Sequence, residues 1–466
     1  MPFSDETSWA VTEFAEAELG DVRRTQRLIE LATVLAQHPE ASLPEACGDR
    51  AMLKAAYRWF DNPAITPQDL LDSHIGATIT RIAATPLVLA VQDTTELDWT
   101  AHPATTGLGP LSHPAHQGLH VHTTLALTPD RVPLGLLAQE VWARDQDEVG
   151  KKATRKQRPI AEKESHKWLT SLEAVLAAHR HCPRTHLVSV GDREADVYDV
   201  FAAARPVGVD LLIRAAWNRC VTQPQRYVWT TVAAQPVATT VTVHVPRRAA
   251  HPARTATLTV RWCPVTLCPP SHRKRERLAP VPLWAVQALE ECPPAETEPV
   301  EWLLLTTAAV HTTAAALERL DWYTCRWGIE IWHKVLKSGC RIEARQLETA
   351  ERLQRCLPLY SVIAWRLLFA TMLSRAVPDA PCTALLEPEE WQALYCAIHR
   401  TSTPPPTPPT LRQAVHWIAR LGGFVARRRD GEPGVTVLWR GFQHLLDLTT
   451  MYCIMRPTPP ERQRYG

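Results

Sequence analysis

Three groups of residues in this chain have types and spacings suited to chemistry on a phosphate. Asp93 closes the run Val88-Leu89-Ala90-Val91-Gln92, and Asp192 closes Leu187-Val188-Ser189-Val190-Gly191 and opens Arg193-Glu194-Ala195-Asp196. A carboxylate at the carboxyl end of a buried strand stands where open α/β sheets place ligands and metals. Taken singly, each also reads as a turn or helix-cap Asp. The third group is Tyr323-x2-Arg326-x3-Glu330-x2-His333-Lys334-x2-Lys337. At about 100° per residue these six side chains share a stripe roughly 100° wide. Ile329, Ile331, Trp332, Val335 and Leu336 cover the remaining circumference, which predicts a buried helix. A solvated face with a Glu330–Lys334 pair would give the same pattern and a few tenths of a kcal/mol. A single acid among cations and a phenol suits a different task, in which the acid holds a divalent cation and Arg, Lys and Tyr grip non-bridging phosphate oxygens.

The elements that must position these residues can be read from periodicity. Residues 1–83 are helical in pattern, with a Gly20-Asp21 start signal, apolar positions 28, 29, 32 and 35, and further helices predicted over 51–60 and 67–81. Strand-type runs follow at 87–91, 118–127, 131–141 and 186–190, with a helix at 164–179. Residues 225–310 are again strand-rich, at 239–245, 255–262, 284–288 and 302–306. One long helix is predicted over 312–336 and another over 351–374, and after 385 the chain is helical except for a proline segment at 403–409. This succession predicts an α/β catalytic core carrying a β-rich insertion, flanked by helical domains.

Composition constrains the partners. The 466 residues carry 51 Lys+Arg against 49 Asp+Glu, a formal charge of +2, which excludes a uniformly basic nucleic-acid binder. The charges are segregated, however. Residues 1–90 hold 7 basic and 13 acidic residues, whereas 247–277 hold eight basic residues and only Glu276 as an acid. Residues 151–158 and Arg427-Arg428-Arg429 add two more basic clusters, so three strips are candidates for phosphate contact. The 12 cysteines form no Cys-x2-Cys pair and are expected to be reduced thiols rather than a zinc ribbon. No secretory signal is read at the N-terminus, and the apolar stretch 357–373 is broken by Arg366, so no membrane span is expected and a cytoplasmic protein is.

Asp93-Thr-Thr, Gly191-Asp192-Arg-Glu-Ala-Asp196 and Tyr323-x2-Arg326-x3-Glu330-x6-Lys337 together resemble the catalytic signatures of bacterial insertion-sequence DDE transposases, the group that excises DNA through hairpin ends. Leu19-Gly-Asp-x-Arg23-Arg24-Thr-x-Arg27-Leu, Ala56-Tyr57-Arg58 and Asn62-Pro63 resemble the family's end-binding region, and Ile418-Ala-Arg-Leu-Gly-Gly-Phe424 with Leu438-Trp439-x-Gly441 its dimerisation region. The resemblance implies an RNase H-like core at 84–380 with an insertion at about 225–300, an end-binding domain at 1–83 and a dimerisation domain at 381–466. It implies that Asp93, Asp192 and Glu330 hold two Mg²⁺ ions, with Mn²⁺ as a substitute. Tyr323, Arg326, Lys337 and Arg214 would contact DNA phosphate, Trp302 and Trp327 would stack on bases, and Arg23, Arg24, Arg27 and Arg58 would bind the terminal repeats. The partners it implies are the inverted terminal repeats, target DNA and a second copy of the chain, in a bacterial nucleoid-associated protein.

Without the resemblance, Trp302 reads equally as a core residue and Arg214 as a solvated strand end. His113, His116, His120 and His122 offer a zinc pattern, but no local Cys or carboxylate completes it, and Gly118-x3-His122 recurs in this transposase group as a strand beside the active site. A basic insert at 146–159 and the proline segment depart from the family pattern and touch no catalytic position.

Overall fold

The structure is a computed structural model that describes residues 8–113, 115–145, 159–245, 252–427 and 430–455. The chain forms two compact units, one comprising His74–Pro103 and Gly107–Glu330, the other Met1–Ser73, Ala104–Thr106 and Ile331–Gly466.

The first unit is built on a 10-stranded sheet: β1 (Leu87–Asp98), β2 (Gly109–Pro110), β3 (Gln117–Leu127), β4 (Pro133–Trp142), β5 (His186–Gly191), β6 (Val209–Arg214), β7 (Thr239–Val245), β8 (Arg254–Leu267), β9 (Val281–Leu289) and β10 (Glu301–Thr306). β1 lies between antiparallel β3 and parallel β5, β4 pairs the far side of β3, and β6 runs parallel to β5. Parallel neighbours need a crossover, and the helices Lys167–His181 and Tyr198–Ala202 supply them before β5 and before β6. This is an α/β, RNase H-like core. Its central position explains why Val88–Val91 form an unbroken buried run, since β1 is covered on both faces.

The strands of the region 225–310 continue the same sheet. β10 pairs antiparallel with β6, and β9, β8 and β7 follow it outward. Strand alternation sorts side chains onto two faces. Trp168 and Leu172 of the helix Lys167–His181 pack with Leu211, Ile213, Leu303 and Leu305, and Val175 and Ala178 with Val88, Ala90 and Leu187. The helix Thr313–Cys325 contacts β1 and β9.

The second unit is helical. Val22–Gln37, Leu43–Cys47 and Arg50–Phe60 are capped by Asp21, Ser42 and Asp49, each accepting backbone N–H groups of the first turn. Arg345, Arg352 and Arg355 fasten this region to the helix Ala350–Ala376 and the segment before it. Arg345 donates to the Pro39 carbonyl at 2.7 Å, Arg352 to Asp61 at 2.8 Å and Arg355 to the Phe60 carbonyl at 3.0 Å. Toward the C-terminus, Leu411–Leu421 and Val435–Met455 cross at backbone contact. A Cβ at Gly422 would lie 1.9 Å from the Val437 carbonyl oxygen, and one at Gly441 1.9 Å from that of Ile418, so both positions require glycine.

Two expectations need correction. The helix predicted over 312–336 is divided into Thr313–Cys325 and Trp327–Lys334, with a turn at Arg326, and passes into a π-helical turn at Val335–Gly339. A single 100° wheel therefore does not describe Tyr323 to Lys337. Second, β1 does not end at Asp93 but runs on to Asp98. The helix Ala350–Ala376 is long and apolar enough to cross a membrane despite Arg366, but it is buried within the helical unit, as a core helix is. The basic cluster at 151–158, most of the insert at 146–159, Arg247, Arg248, Arg428 and Arg429 lie outside the described residues.

Candidate active site

Asp93 projects from the middle of β1, opposite Thr123 of β3. On its other side β5 accompanies β1 only from Leu87 to Val91, so Asp93 emerges just where the parallel neighbour stops. Asp192 is the first residue beyond β5 and caps the short turn Arg193–Ala195, its Oδ1 accepting the Glu194 N–H at 2.8 Å. It is a capping Asp and also a candidate site residue. Glu330 stands one turn into Trp327–Lys334.

Arg326 links these acids. Its Nη2 donates to Glu330 Oε1 at 2.6 Å and its Nη1 lies 3.5 Å from Asp93 Oδ2. Burial pushes the Asp93 carboxyl up to about 6; the Arg326 charge opposes this, and Asp192 and Glu330 add to it. Burial likewise raises Asp192, against the Glu194 N–H and Arg326. Burial also works against the charge of Arg326, but Tyr323, Asp93, Glu330 and Asp192 outweigh it and hold the guanidinium above its ordinary value. The three acids thus share one electrostatic environment with one arginine at its centre. The Arg326 Nε–H is buried and has no acceptor among the described residues.

The turn at Arg326 is itself fixed from outside the helix. Arg131, in the β3–β4 turn with φ 67°, donates to Thr324 Oγ1 at 3.0 Å and lies 3.6 Å from Asp321. Gly328 allows close approach to β3, since a Cβ there would come within 2.8 Å of Leu127 Cδ1.

The remaining candidates divide. Tyr323 is buried, stacks edge-on with Trp302 at 6.0 Å and carries Arg326 at 5.9 Å from its ring. Arg214 donates to the Glu301 carbonyl at 2.8 Å; burial holds its pKa below the ordinary arginine value, although Tyr323 raises it. Trp302 is half-buried and meets Trp327 edge-on at 6.5 Å, while Trp327 is 47% exposed. Lys337 belongs to the helical unit, in the π-helical turn, where its Nζ lies 3.6 Å from Glu343. In the same unit Arg23 pairs with Asp21 at 2.9 Å, Arg24 donates to the Leu19 carbonyl at 2.9 Å, Arg27 pairs with Glu30 at 2.6 Å, and Arg58 is exposed.

A buried polar network that the sequence reading missed lies on the other face of β1. Gln92 Nε2 donates to Ser189 Oγ at 2.7 Å, Gln92 Oε1 lies 3.3 Å from His122 Nε2, and His122 Nδ1 lies 2.9 Å from Thr94 Oγ1. With Gln92 donating to Ser189, its oxygen accepts from His122, which assigns Thr94 as the donor to Nδ1. The network bolts β3, β1 and β5 together directly behind Asp93. His120 instead stacks on Trp142 at 5.4 Å and lies 3.7 Å from Glu96, and His116 lies 3.0 Å from Asp98. The signal in the sequence was Ser189 standing between Val188 and Val190, and Gln92 following the apolar run Val88–Val91. Asp196, at the end of the Gly191–Asp196 motif, has a structural place. It is buried and accepts from the Ala216 and Trp217 N–H groups at 2.8 and 3.0 Å and from Arg219 at 2.5 Å, which shapes the loop after β6.

Among the described residues no three His, Cys, Asp or Glu side chains form a ready-made metal cluster. The donor chemistry nonetheless fits a hard divalent cation, because Asp93, Asp192 and Glu330 offer only carboxylate oxygens and already share a cationic group.

Residues 6–65 match the family model described as transposase DNA-binding. Residues 362–452 match the one described as the Tn5 transposase dimerisation domain. The chain is thus similar to a transposase DNA-binding domain near one end and to a Tn5 transposase dimerisation domain near the other.

Proposed function

We propose that the protein is a cut-and-paste DNA transposase whose active site is Asp93, Asp192 and Glu330. On this reading a homodimer binds the terminal inverted repeats of its element, cleaves both strands through hairpin ends and joins the 3′ ends to target DNA. The observation that carries it is Arg326, a buried guanidinium between Asp93 and Glu330 with a donor left over. Such a group suits a site that takes up a phosphodiester beside carboxylates.

Asp93, Asp192 and Glu330 would hold two Mg²⁺ ions, which when bound would sharpen an attacking water or 3′-hydroxyl and stabilise the leaving oxygen. Arg326 would pass its Nε–H to a non-bridging oxygen while keeping a carboxylate partner. Tyr323, Arg214 and Lys337 would fix the phosphate of the non-transferred strand. Trp302 and Trp327 present ring faces and edges beside Tyr323, an arrangement suited to receive a base rotated out of the duplex as the hairpin closes.

The test is incubation of the protein with Mg²⁺ and DNA bearing its element's ends. Hairpinned ends, followed by joining to a plasmid, are expected. Persistence of cleavage after Asp93→Ala or Glu330→Ala would overturn the assignment. Cleavage without joining would leave a structure-specific nuclease, and end binding without nicking a regulator.

A further inference from the structure

The turn between β8 and β9 carries much of the basic character of the insertion. It forms a short 3-10 hook, Ser271–Glu276, followed by Arg277 at φ 52°. Arg273 turns inward. It bonds both carboxylate oxygens of Asp199 at 2.8 Å and pairs with Glu276 at 2.6 Å, and its pKa is held far above the ordinary arginine value, chiefly by Glu276. Tyr198 Oη adds a bond to the Ala279 carbonyl, on the far side of the hook. The one acid of the hook is therefore already spent on its anchor.

The other cations face the opposite way. Lys274, Arg275 and Arg277 are exposed, and among the described residues their side chains make no ion pair or hydrogen bond. Lys163, on the neighbouring segment, is close enough to lower the carboxyl of Glu276 together with Arg273 and His272. Holding like charges together on an anchored turn is unfavourable unless a polyanion answers them. The anchor, Asp199, is seven residues beyond Asp192 on the helix that follows it, so the hook belongs to the same unit as the candidate active site.

We propose that this hook is an additional DNA-backbone site, in which Lys274, Arg275 and Arg277 contact phosphodiesters without reading sequence. The proposal rests on the transposase reading for its choice of DNA as the polyanion. The phosphates could be those of DNA flanking the cleaved end or those of the target duplex.

The decisive variant is Lys274→Gln/Arg275→Gln/Arg277→Asn, with Asn chosen because it tolerates the left-handed backbone at 277. Arg273 and Glu276 are retained, so thermal melting should be unchanged. Binding is measured against salt for three duplexes: a minimal terminal repeat, the same repeat extended into flanking DNA, and an unrelated target. The slope of log affinity against log salt should become shallower by about 2 to 3 on the extended or the target duplex, since each lost phosphate contact removes about 0.9. Whichever duplex responds identifies the source of the phosphates. Lys274→Arg/Arg275→Lys/Arg277→Lys should restore the slope. Unchanged slopes on all three duplexes would overturn the proposal. If wild-type protein cut no ends yet the triple variant still lost slope, the hook would stand and the transposase reading would fall.

Discussion

Replacing Asp93 by Asn at pH 8 should stabilise the protein while abolishing DNA cleavage. Asp93 carries a pKa of about 6 in the fold against 3.8 in an exposed chain, chiefly because it is buried, with Asp192 and Glu330 adding to what Arg326 offsets. A raised carboxyl means that the native state binds its proton more tightly than the unfolded state does. Stability therefore falls as pH rises from about 4 to about 6 and levels off above. About two pKa units at 1.36 kcal/mol each set the full cost near 3 kcal/mol at pH 8, and roughly half of that at pH 5. Asn keeps the shape and removes the charge, and Arg326 retains Glu330 at 2.6 Å. Urea denaturation without divalent cations should thus show Asp93→Asn more stable than wild type by about 3 kcal/mol at pH 8 and by about half that at pH 5. Added Mg²⁺ should stabilise the wild type and leave the variant nearly unmoved. A variant less stable than wild type at pH 8, or an equal gain at both pH values, would refute the account of strain stored among the acids.

Other substitutions probe the surroundings. Asp196→Ala leaves the Arg219 guanidinium and two N–H groups unanswered at a buried point, and urea titration should show a loss of about 3–5 kcal/mol; a loss under 1 kcal/mol would mean the loop is held otherwise. Trp327→Ala removes a 47% exposed ring, so melting should barely change while hairpin formation fails after the first nick; hairpins at the wild-type rate would remove Trp327 from the base-stacking role. Asp210 is opposed by burial, but His186 at 2.8 Å and Thr307 at 2.6 Å hold its carboxyl below 3.8. Its contribution is present above that value and lost as pH falls through the lower folded pKa, so Asp210→Asn should be destabilising at pH 7 and approach wild type as the pH falls through that lowered value. A difference that stays constant over this range would rule out the ionised carboxylate as its source.

Much of the fold was legible because its strands and helices obey simple periods. The central run Val88–Val91 announced a strand covered on both faces, and the Gly20-Asp21 start became a helix capped by Asp21. What periodicity could not carry was the turn at Arg326. Nothing between Tyr323 and Lys337 is proline, so a continuous wheel was the natural reading. The interruption depends on distant contacts, Arg131 to Thr324 and the close approach of Gly328 to Leu127, and such contacts have no local signature. The polar bolt behind Asp93 was hidden for a related reason. His122 invited comparison with its histidine neighbours along the chain, whereas its partners, Gln92 and Thr94, lie across the strand pair.

Net charge misled in the same way, because it sums groups that never meet. The formal +2 combines acids held around Arg326 with cations held apart from them. In the hook the near balance conceals a division of labour: Arg273 is consumed by Asp199 and Glu276, and that expenditure is what leaves Lys274, Arg275 and Arg277 uncompensated at the surface. At Arg326 the logic runs in reverse, with one buried cation answering three acids and still keeping a donor free. A charge in this protein is informative only together with its partner, so the residues to examine are those whose pairing is incomplete, the acids around Arg326 and the outer cations of the hook.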